Sequence, residues 1–393
     1  MSSLITAAPA LRIASVVDSA AEALSIKHNN LVYELTAAGQ DIITLSLGEA
    51  FFDLPLPRFD DLAGHGLHHY SHSRGIPRLR ARLARYYHED FAVPVDPDTE
   101  ILVTAGSKAA IYMVLLAVLE PGDEVVIPEP FWLSYPEQVR LCRGVPVLVP
   151  HDVSVFDLAR HVTPRTRAIV INNPNNPSGR VYTDAELEFV HDLADVHGLL
   201  VIADEAYHEF VPPGIPFRAC GSFDPELRHT VTINSMSKNY GVSGWRVGYV
   251  IAHRALVDQV LKINQHLVTC APTILSWYLA EHFDDILAIT RPQIQRVVEL
   301  RREVAGQLAD IGIATLPGSA TFYLFAALGR STVDSMEFAT RLLRESAVSV
   351  VAGIAYGASC DRFIRVSVGT ESPYRVARGI AAIRDLIDAT SPR

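Results

Sequence analysis

From about residue 100 onward, short apolar runs alternate with stretches of helical periodicity, the pattern of a parallel sheet covered on both faces. Ile101 to Thr104 predicts a strand, and Gly106-Ser107 opens a helix that runs to Leu119. Pro121-Gly122-Asp123 turns the chain into a strand from Glu124 to Ile127, with a helix from about Trp132 and a strand from Pro146 to Val149 behind it. Arg167 to Ile171 predicts the next strand, followed by the turn-dense segment Asn172-Asn173-Pro174-Asn175-Asn176-Pro177-Ser178-Gly179. Thr183 and Glu186 form a capping box for a helix that Gly198 ends, before strands at Leu199 to Ala203, His229 to Ile233 and Val247 to Ile251.

After about residue 285 the texture changes. Longer helices, Pro292 to Asp310, Asp334 to Glu345 and Pro373 to Ala389, are interleaved with short strands such as Arg362 to Val368, and Ser372 before Pro373 makes an N-cap with an N1 proline. Helical periodicity also runs from Ala14 to Ala38, outside the sheet region, and is expected to pack with the C-terminal part. The expected organisation is an N-terminal segment (1–50) packing with a small C-terminal α+β domain (286–393), with a large α/β domain (51–285) between them. No internal repeat or low-complexity tract interrupts this order.

A chain of 393 residues is expected to hold two or three folding units and to bury about three quarters of its extended surface. With 49% hydrophobic and 20% charged residues, disorder and fibrous architectures are excluded. The net charge of −10 opposes a phosphate backbone, and no basic patch offsets it, so no nucleic-acid partner is expected. The longest apolar run, Ala109 to Leu119, falls short of the roughly 20 residues that cross a bilayer, so no membrane partner is expected. Met1 to Leu24 has no basic n-region ahead of an apolar stretch and carries Asp18 and Glu22, which argues against a targeting peptide. Cys142, Cys220, Cys270 and Cys360 are scattered without a CxxC pair, which fits a reducing cytoplasm.

In an open parallel sheet, ligands bind at the carboxyl ends of the strands. Three groups fall there. Gly106-Ser107-Lys108 lies between a strand and a helix start, where free N–H groups favour a phosphate, although an ordinary tight turn accounts for it equally. It matches neither GxxxxGK[ST] nor GxGxxG. Asp204 follows Leu199 to Ala203 directly and reads either as a cleft carboxylate or as a helix cap. Lys238 follows the strand that ends near Ile233; an isolated lysine is usually a surface charge, but here small and polar residues surround it, with Gly241, Gly244 and Gly248 close behind. A carboxylate at one strand end, a lysine at another, a phosphate-sized turn and an Asn/Pro loop together describe a site for pyridoxal 5′-phosphate, with the lysine as Schiff-base amine and the acid on the pyridine nitrogen.

The segment Ser235-Met236-Ser237-Lys238-Asn239-Tyr240-Gly241-Val242-Ser243-Gly244-Trp245-Arg246-Val247-Gly248-Tyr249 resembles the fold-type I pyridoxal-phosphate-dependent aminotransferases of class I/II, the aspartate-aminotransferase-like group, and the resemblance runs from about Asp41 to Gly369. It implies that family's fold: a large cofactor-binding domain built on a mostly parallel seven-stranded-type α/β sheet with helices on both faces, plus a smaller α+β domain. It also implies a role for each matching residue. Lys238 is similar to the aldimine lysine and proton shuttle, Asp204 to the pyridinium partner, and Asn176 and Tyr207 to the pair on the ring's phenolic oxygen. Arg246, Ser235, Ser107 and Lys108 resemble the phosphate contacts, Trp132 the aromatic that stacks on the ring, and Tyr70 the tyrosine donated to the phosphate of a partner subunit in a homodimer with shared sites. Arg365 resembles the arginine that clamps the substrate α-carboxylate, with Gly48 beside it; a guanidinium suits that role because it gives two parallel charge-assisted bonds. The sequence departs from the usual Gly-Glu-Pro at Gly48-Glu49-Ala50, a difference bearing on substrate choice.

The implied activity is transamination between an L-amino acid and a 2-oxo acid. The same scaffold hosts lyases, decarboxylases, synthases and cyclases, and a non-catalytic cofactor-sensing module is the remaining alternative. No DNA-binding helix pair precedes the domain, which counts against the last. The stretch Asn264 to Trp277 contains no Arg or Lys to pair an acidic side chain, so a broad or non-acidic amino donor is expected, with Phe51, Phe52, Tyr240 and Tyr356 as candidate pocket residues. His65, His68, His69 and His72 do not converge on one helical face and lack a completing acid or Cys, so no metal site is expected. No GxSxG elbow is present.

Overall fold

A computed structural model of the chain describes residues 13–392 apart from 19, 23, 63 and 65. The strands are β1 (Ile43–Thr44), β2 (Ile101–Thr104), β3 (Glu124–Pro128), β4 (Val145–Val149), β5 (Thr166–Asn172), β6 (Leu200–Asp204), β7 (Thr230–Ser235), β8 (Gly248–Ala252), β9 (Tyr323–Ala327), β10 (Val348–Ser349), β11 (Val351–Ala352) and β12 (Phe363–Ser367). A seven-stranded sheet has the order β2-β8-β7-β6-β5-β3-β4; β8 runs antiparallel to both its neighbours, and the other pairings are parallel.

These strands are written as nearly continuous apolar runs because both faces are covered. Leu102, Val170, Ile202, Ile233 and Val250 point to one face, where they meet Ile111, Val114, Val139 and Val257 from the helices Ser107–Val118, Ser134–Leu141 and Arg254–Leu267. Ile169, Ile171, Val201 and Ala203 point to the other, against Leu187, Val190 and Ala194 of helix Asp184–His197. That helix starts as its sequence dictates: Glu186 N–H donates to Thr183 Oγ1 at 3.3 Å and Thr183 N–H to Glu186 Oε2 at 2.9 Å, and Gly198 closes it in the left-handed region.

A three-stranded antiparallel sheet, β11-β12-β9, buries Leu324, Ala326, Ile364 and Val366 against the helices Ser335–Ser346 and Pro373–Thr390. The N-terminal part joins this region through β1, which pairs in parallel with β10, and through Val32, which packs with Ile42 and Leu343.

Three expectations differ from the structure. The helix expected at Pro292 already runs from Thr273 to Asp310, with non-helical dihedrals at His282 and Pro292 inside it. Proline costs a helix one hydrogen bond, but here Leu279, Phe283, Ile286 and Leu287 supply a buried face ahead of it and the helix continues through. The periodic stretch Ala14 to Ala38 forms two pieces, Ser15–Asp18 and Leu24–Ala37, and the first lies against helix Ser134–Leu141. The helix expected from Trp132 begins at Ser134, leaving Trp132 in the preceding turn. Among the described residues, no helix is long and apolar enough to cross a membrane.

Candidate active site

The ends of β2, β5, β6 and β7 open into a cleft of about 280 Å³ whose far wall is made by β9, β12 and the turn at Gly48. Its lining brings together Gly48, Ser107, Lys108, Trp132, Asn176, Asp204, Tyr207, Ser235, Lys238, Arg246 and Arg365, the first and last of which lie more than three hundred positions apart in the sequence. Of the expected site residues, Tyr70 alone lies elsewhere: it is 85% exposed and borders a separate surface depression with Leu67, His68, His69, Val268 and Ile274.

Asp204 ends β6 and is buried at the floor of the cleft. Its Oδ2 accepts from the hydroxyl of Tyr135 at 2.6 Å and its Oδ1 from the N–H of Ala206 at 3.2 Å. Burial pushes its proton affinity up, while the Tyr135 and Ala206 donors and the nearby Lys238 pull it down. Lys238 sits in the short helix Met236–Asn239 that β7 feeds, and its Nζ donates to the carbonyl of Gly48. Burial lowers its pKa to about 8; Glu49 and Asp204 work against this, and Arg365 and Arg246 add to it. A lysine amine held near neutrality serves as nucleophile and proton carrier.

The Asn/Pro loop is a hydrogen-bonded frame. Asn176 N–H donates to Asn172 Oδ1 at 2.7 Å, Asn176 Nδ2 to the Tyr207 hydroxyl at 3.4 Å, and Asn176 Oδ1 accepts from Arg365 at 3.2 Å. On β12, Arg365 is 4% exposed, donates also to the carbonyl of Ser46 at 2.7 Å, and leaves its Nε without a hydrogen bond. Its guanidinium carbon lies 4.3 Å from the ring of Tyr323 and 5.5 Å from that of Tyr356. A buried cation that lines a cleft and has no carboxylate partner among the described residues is suited to take an anion.

At the other end of the cleft, the first turn of helix Ser107–Val118 faces Arg246, whose Nη1 donates to Ser237 Oγ at 3.3 Å and to the carbonyl of Ser243 at 2.7 Å. Glycine is required twice here. A Cβ at Gly106, which has φ +86°, would lie 2.6 Å from the Arg246 guanidinium, and one at Gly248 would lie 2.6 Å from the N–H of Ser107. Lys108 stands 5.1 Å above the Trp132 ring, and its pKa is lowered by burial and by Arg246.

These residues fit pyridoxal 5′-phosphate on their own chemistry. Helix N–H groups, Arg246 and Lys108 converge where a Cβ would intrude, as a phosphate cradle must. A buried carboxylate at Asp204 suits a protonated ring nitrogen, and a lysine drawn down to about 8 suits an aldehyde.

Sequence reasoning missed Tyr135 and Tyr323. Tyr135 lies three residues after Trp132, in Pro-Phe-Trp-Leu-Ser-Tyr-Pro, but reads as core, and Tyr323 lies in the largely apolar run Ala320–Ala327, where periodicity cannot separate a cleft tyrosine from a packed one. Conversely, none of Phe51, Phe52, Tyr240 and Tyr356 lines the cleft. Phe51 is 62% exposed, Phe52 stacks on Phe210, Tyr240 packs on Phe283, and Tyr356 sits behind Arg365. Phe52, Tyr240 and Tyr356 serve packing, and Phe51 faces solvent. His65 lies outside the described residues.

Comparison with known proteins agrees with this geometry. The sequence model for aminotransferase class I and II matches residues 40–383. The chain is 34% identical to an aspartate aminotransferase of Geobacillus stearothermophilus over 92% of its own length and 94% of the relative's. It is 33% identical to aromatic-amino-acid aminotransferase 2 of Thermococcus litoralis, over 86% and 90%. Among solved structures, the aspartate aminotransferase from Thermus thermophilus with maleate superposes with a TM-score of 0.88 at 28% identity, over 96% of this chain and all of that one. The chain therefore belongs to the class I and II aminotransferases, and it is a pyridoxal-phosphate-dependent enzyme that transfers amino groups.

Proposed function

We propose that the enzyme moves an amino group between an L-amino acid and a 2-oxo acid in this cleft, with Lys238 as the covalent anchor of the cofactor and the proton carrier. The observation that carries the reading is the pairing in one cleft of a buried lysine whose pKa is lowered to about 8 with a buried arginine that has no carboxylate partner among the described residues. The cofactor, when bound, supplies an aldehyde for the amino group and a conjugated ring that spreads the charge left when the α-proton departs. The remaining tasks belong to the chain. Arg365 takes the substrate α-carboxylate in two parallel bonds, with Gly48 beside it, and so fixes which α-carbon bond faces Lys238. Lys238 Nζ, once free and neutral, takes the proton from that carbon. Asp204 would hold a proton on the ring nitrogen, Asn176 and Tyr207 would meet the phenolic oxygen, Trp132 would cover the ring, and Ser107, Lys108, Ser235 and Arg246 would hold the phosphate.

Tyr70, exposed and away from its own cleft, is read as reaching the phosphate site of a second copy, which makes the working enzyme a homodimer. A division into residues 1–50, 51–285 and 286–393 is supported by the separation of the seven-stranded sheet from the three-stranded sheet and the β1–β10 pair. A cytoplasmic setting is supported by four unpaired cysteines. The donor range is read as broad: relatives include aspartate and aromatic-amino-acid aminotransferases, and Asn264 to Trp277 carries no Arg or Lys.

Replacing Lys238 by Ala should cut keto-acid formation by about 10⁴-fold or more, since anchor and proton carrier are lost together. Transamination by that variant at the wild-type rate overturns the reading. Measuring kcat/KM for aspartate, phenylalanine and alanine tests the donor range, and a strong preference for aspartate sinks it.

A further inference from the structure

We propose that Tyr323 is a positioning residue of the cleft, its hydroxyl donating to Tyr207 and its ring seating Arg365, so that one side chain serves both the phenolic-oxygen contact and the carboxylate clamp. The inference rests on the roles given above to Tyr207 and Arg365.

Tyr323 begins β9, is fully buried as a residue, and still contributes to the cleft wall. Its backbone is held on both sides: its carbonyl accepts from Arg301 Nε at 2.7 Å, and its N–H donates to Thr321 Oγ1 at 3.2 Å. In the β9–β12 pairing, Tyr323 stands opposite Ser367 and Phe325 opposite Arg365, so the tyrosine is the diagonal neighbour of Arg365 on the same face of the sheet. That register lays the ring 4.3 Å from the guanidinium carbon. With no carboxylate among the described residues to orient it, the guanidinium is kept in place by that ring, by Tyr356, by the Ser46 carbonyl and by Asn176.

The hydroxyl faces the other way. It lies 3.1 Å from the hydroxyl of Tyr207, and among the described residues it hydrogen-bonds only that group. A tyrosine hydroxyl has one proton to give. Once Tyr207 spends its proton on the cofactor's phenolic oxygen, the bond between the two tyrosines can only run from Tyr323 to Tyr207. Donation into Tyr207 polarises its O–H and makes it the stronger donor. A stronger donor stabilises negative charge on the phenolic oxygen and lowers the affinity for the proton shared there. A residue that merely packs would keep all its ring contacts, with Phe322 and Tyr207 among them, when only the hydroxyl is removed.

The test is a pH titration of the visible absorption band in four holoenzymes: wild type, Tyr207→Phe, Tyr323→Phe and the double variant. Tyr207→Phe should raise the midpoint. Tyr323→Phe should raise it less, by about 2- to 10-fold in proton affinity, and should add nothing in the Tyr207→Phe background. If Tyr207→Phe moves the midpoint and Tyr323→Phe does not, or if Tyr323→Phe acts equally in both backgrounds, the proposal is overturned while the role of Tyr207 stands. If neither variant moves it, the role of Tyr207 falls as well. For the ring, Tyr323→Leu should raise KM for an amino donor about 3- to 10-fold above that of Tyr323→Phe, with kcat changing less. Equal KM values overturn the Arg365 half, and Tyr323→Phe, which keeps the ring and its packing, decides the hydroxyl half even if the leucine variant does not fold.

Discussion

The two walls of the cleft handle buried charge in different ways. On the wall made by the ends of β5, β6 and β7, each ionisable group has found a partner within the chain: Asp204 accepts from Tyr135 and Ala206, and Lys238 donates to Gly48. On the wall made by β9 and β12, Arg365 is held by two oxygen acceptors and two aromatic rings, with one nitrogen left over. A third buried ion sharpens the contrast. Arg301, 3% exposed, has no carboxylate partner among the described residues either, but it donates to the carbonyls of Tyr323 and Ser178 and does not line this cleft, so it knits the helix Thr273–Asp310 to β9 and the Asn/Pro loop. Burial of an arginine is therefore no sign of function by itself. A buried arginine that lines a cavity and has no carboxylate partner among the described residues is one, because its charge is balanced only when an anion arrives.

The sharpest way to break the comparison is on the first wall. Asp204→Ala removes a buried carboxylate and strands the Tyr135 hydroxyl; turnover should fall on the order of 10²-fold, with weaker cofactor retention on dialysis. Retention and kcat at wild-type values would mean that Asp204 serves only as a cap for the turn at Ala206.

Lys238 gives a pH test of the same wall in the cofactor-free protein. Its folded pKa of about 8 lies below the unfolded value of about 10.4, so between the two the unfolded chain binds more protons and stability rises with pH. Below about pH 8 the penalty for charging the buried amine is present in full, on the order of 3 kcal/mol, and it fades towards pH 10.4. Urea midpoints of wild type and Lys238→Met, compared from pH 7 to 10, should converge as pH rises. A constant gap would show that the amine is solvated in the folded apoprotein.

The second wall should respond more mildly and in KM. Arg365→Lys keeps the charge and loses the fork, so KM for any amino donor should rise about 10-fold with kcat less affected. A fall in kcat at unchanged KM would place Arg365 in the chemistry rather than in substrate binding.

Much of the first wall is legible in the chain because its residues lie at places that local rules mark. Asp204 follows an apolar run directly, Lys238 sits in a stretch of small residues, and Ser107 starts a helix after a glycine. Arg365 was reachable only through resemblance, since a strand arginine is usually a solvated one. Tyr135 and Tyr323 were not legible at all, because an apolar stretch containing a tyrosine has the same periodicity whether the hydroxyl meets a carboxylate, another hydroxyl or nothing. The same ambiguity works in reverse for Phe52 and Tyr240, which resemble pocket residues and are packing.

By itself the sequence determined the alternation of strands and helices, the caps at Thr183 and Ser372, and the strand ends that carry Asp204 and Lys238, because each depends on neighbours within a few positions. Tertiary structure alone decided that Gly48, Asn176, Tyr323 and Arg365 meet those groups across one cleft, and that Tyr70 does not. Such meetings depend on strand order and on the β9–β12 register, set by burial of both sheets at once, and no local pattern encodes distances between residues hundreds of positions apart.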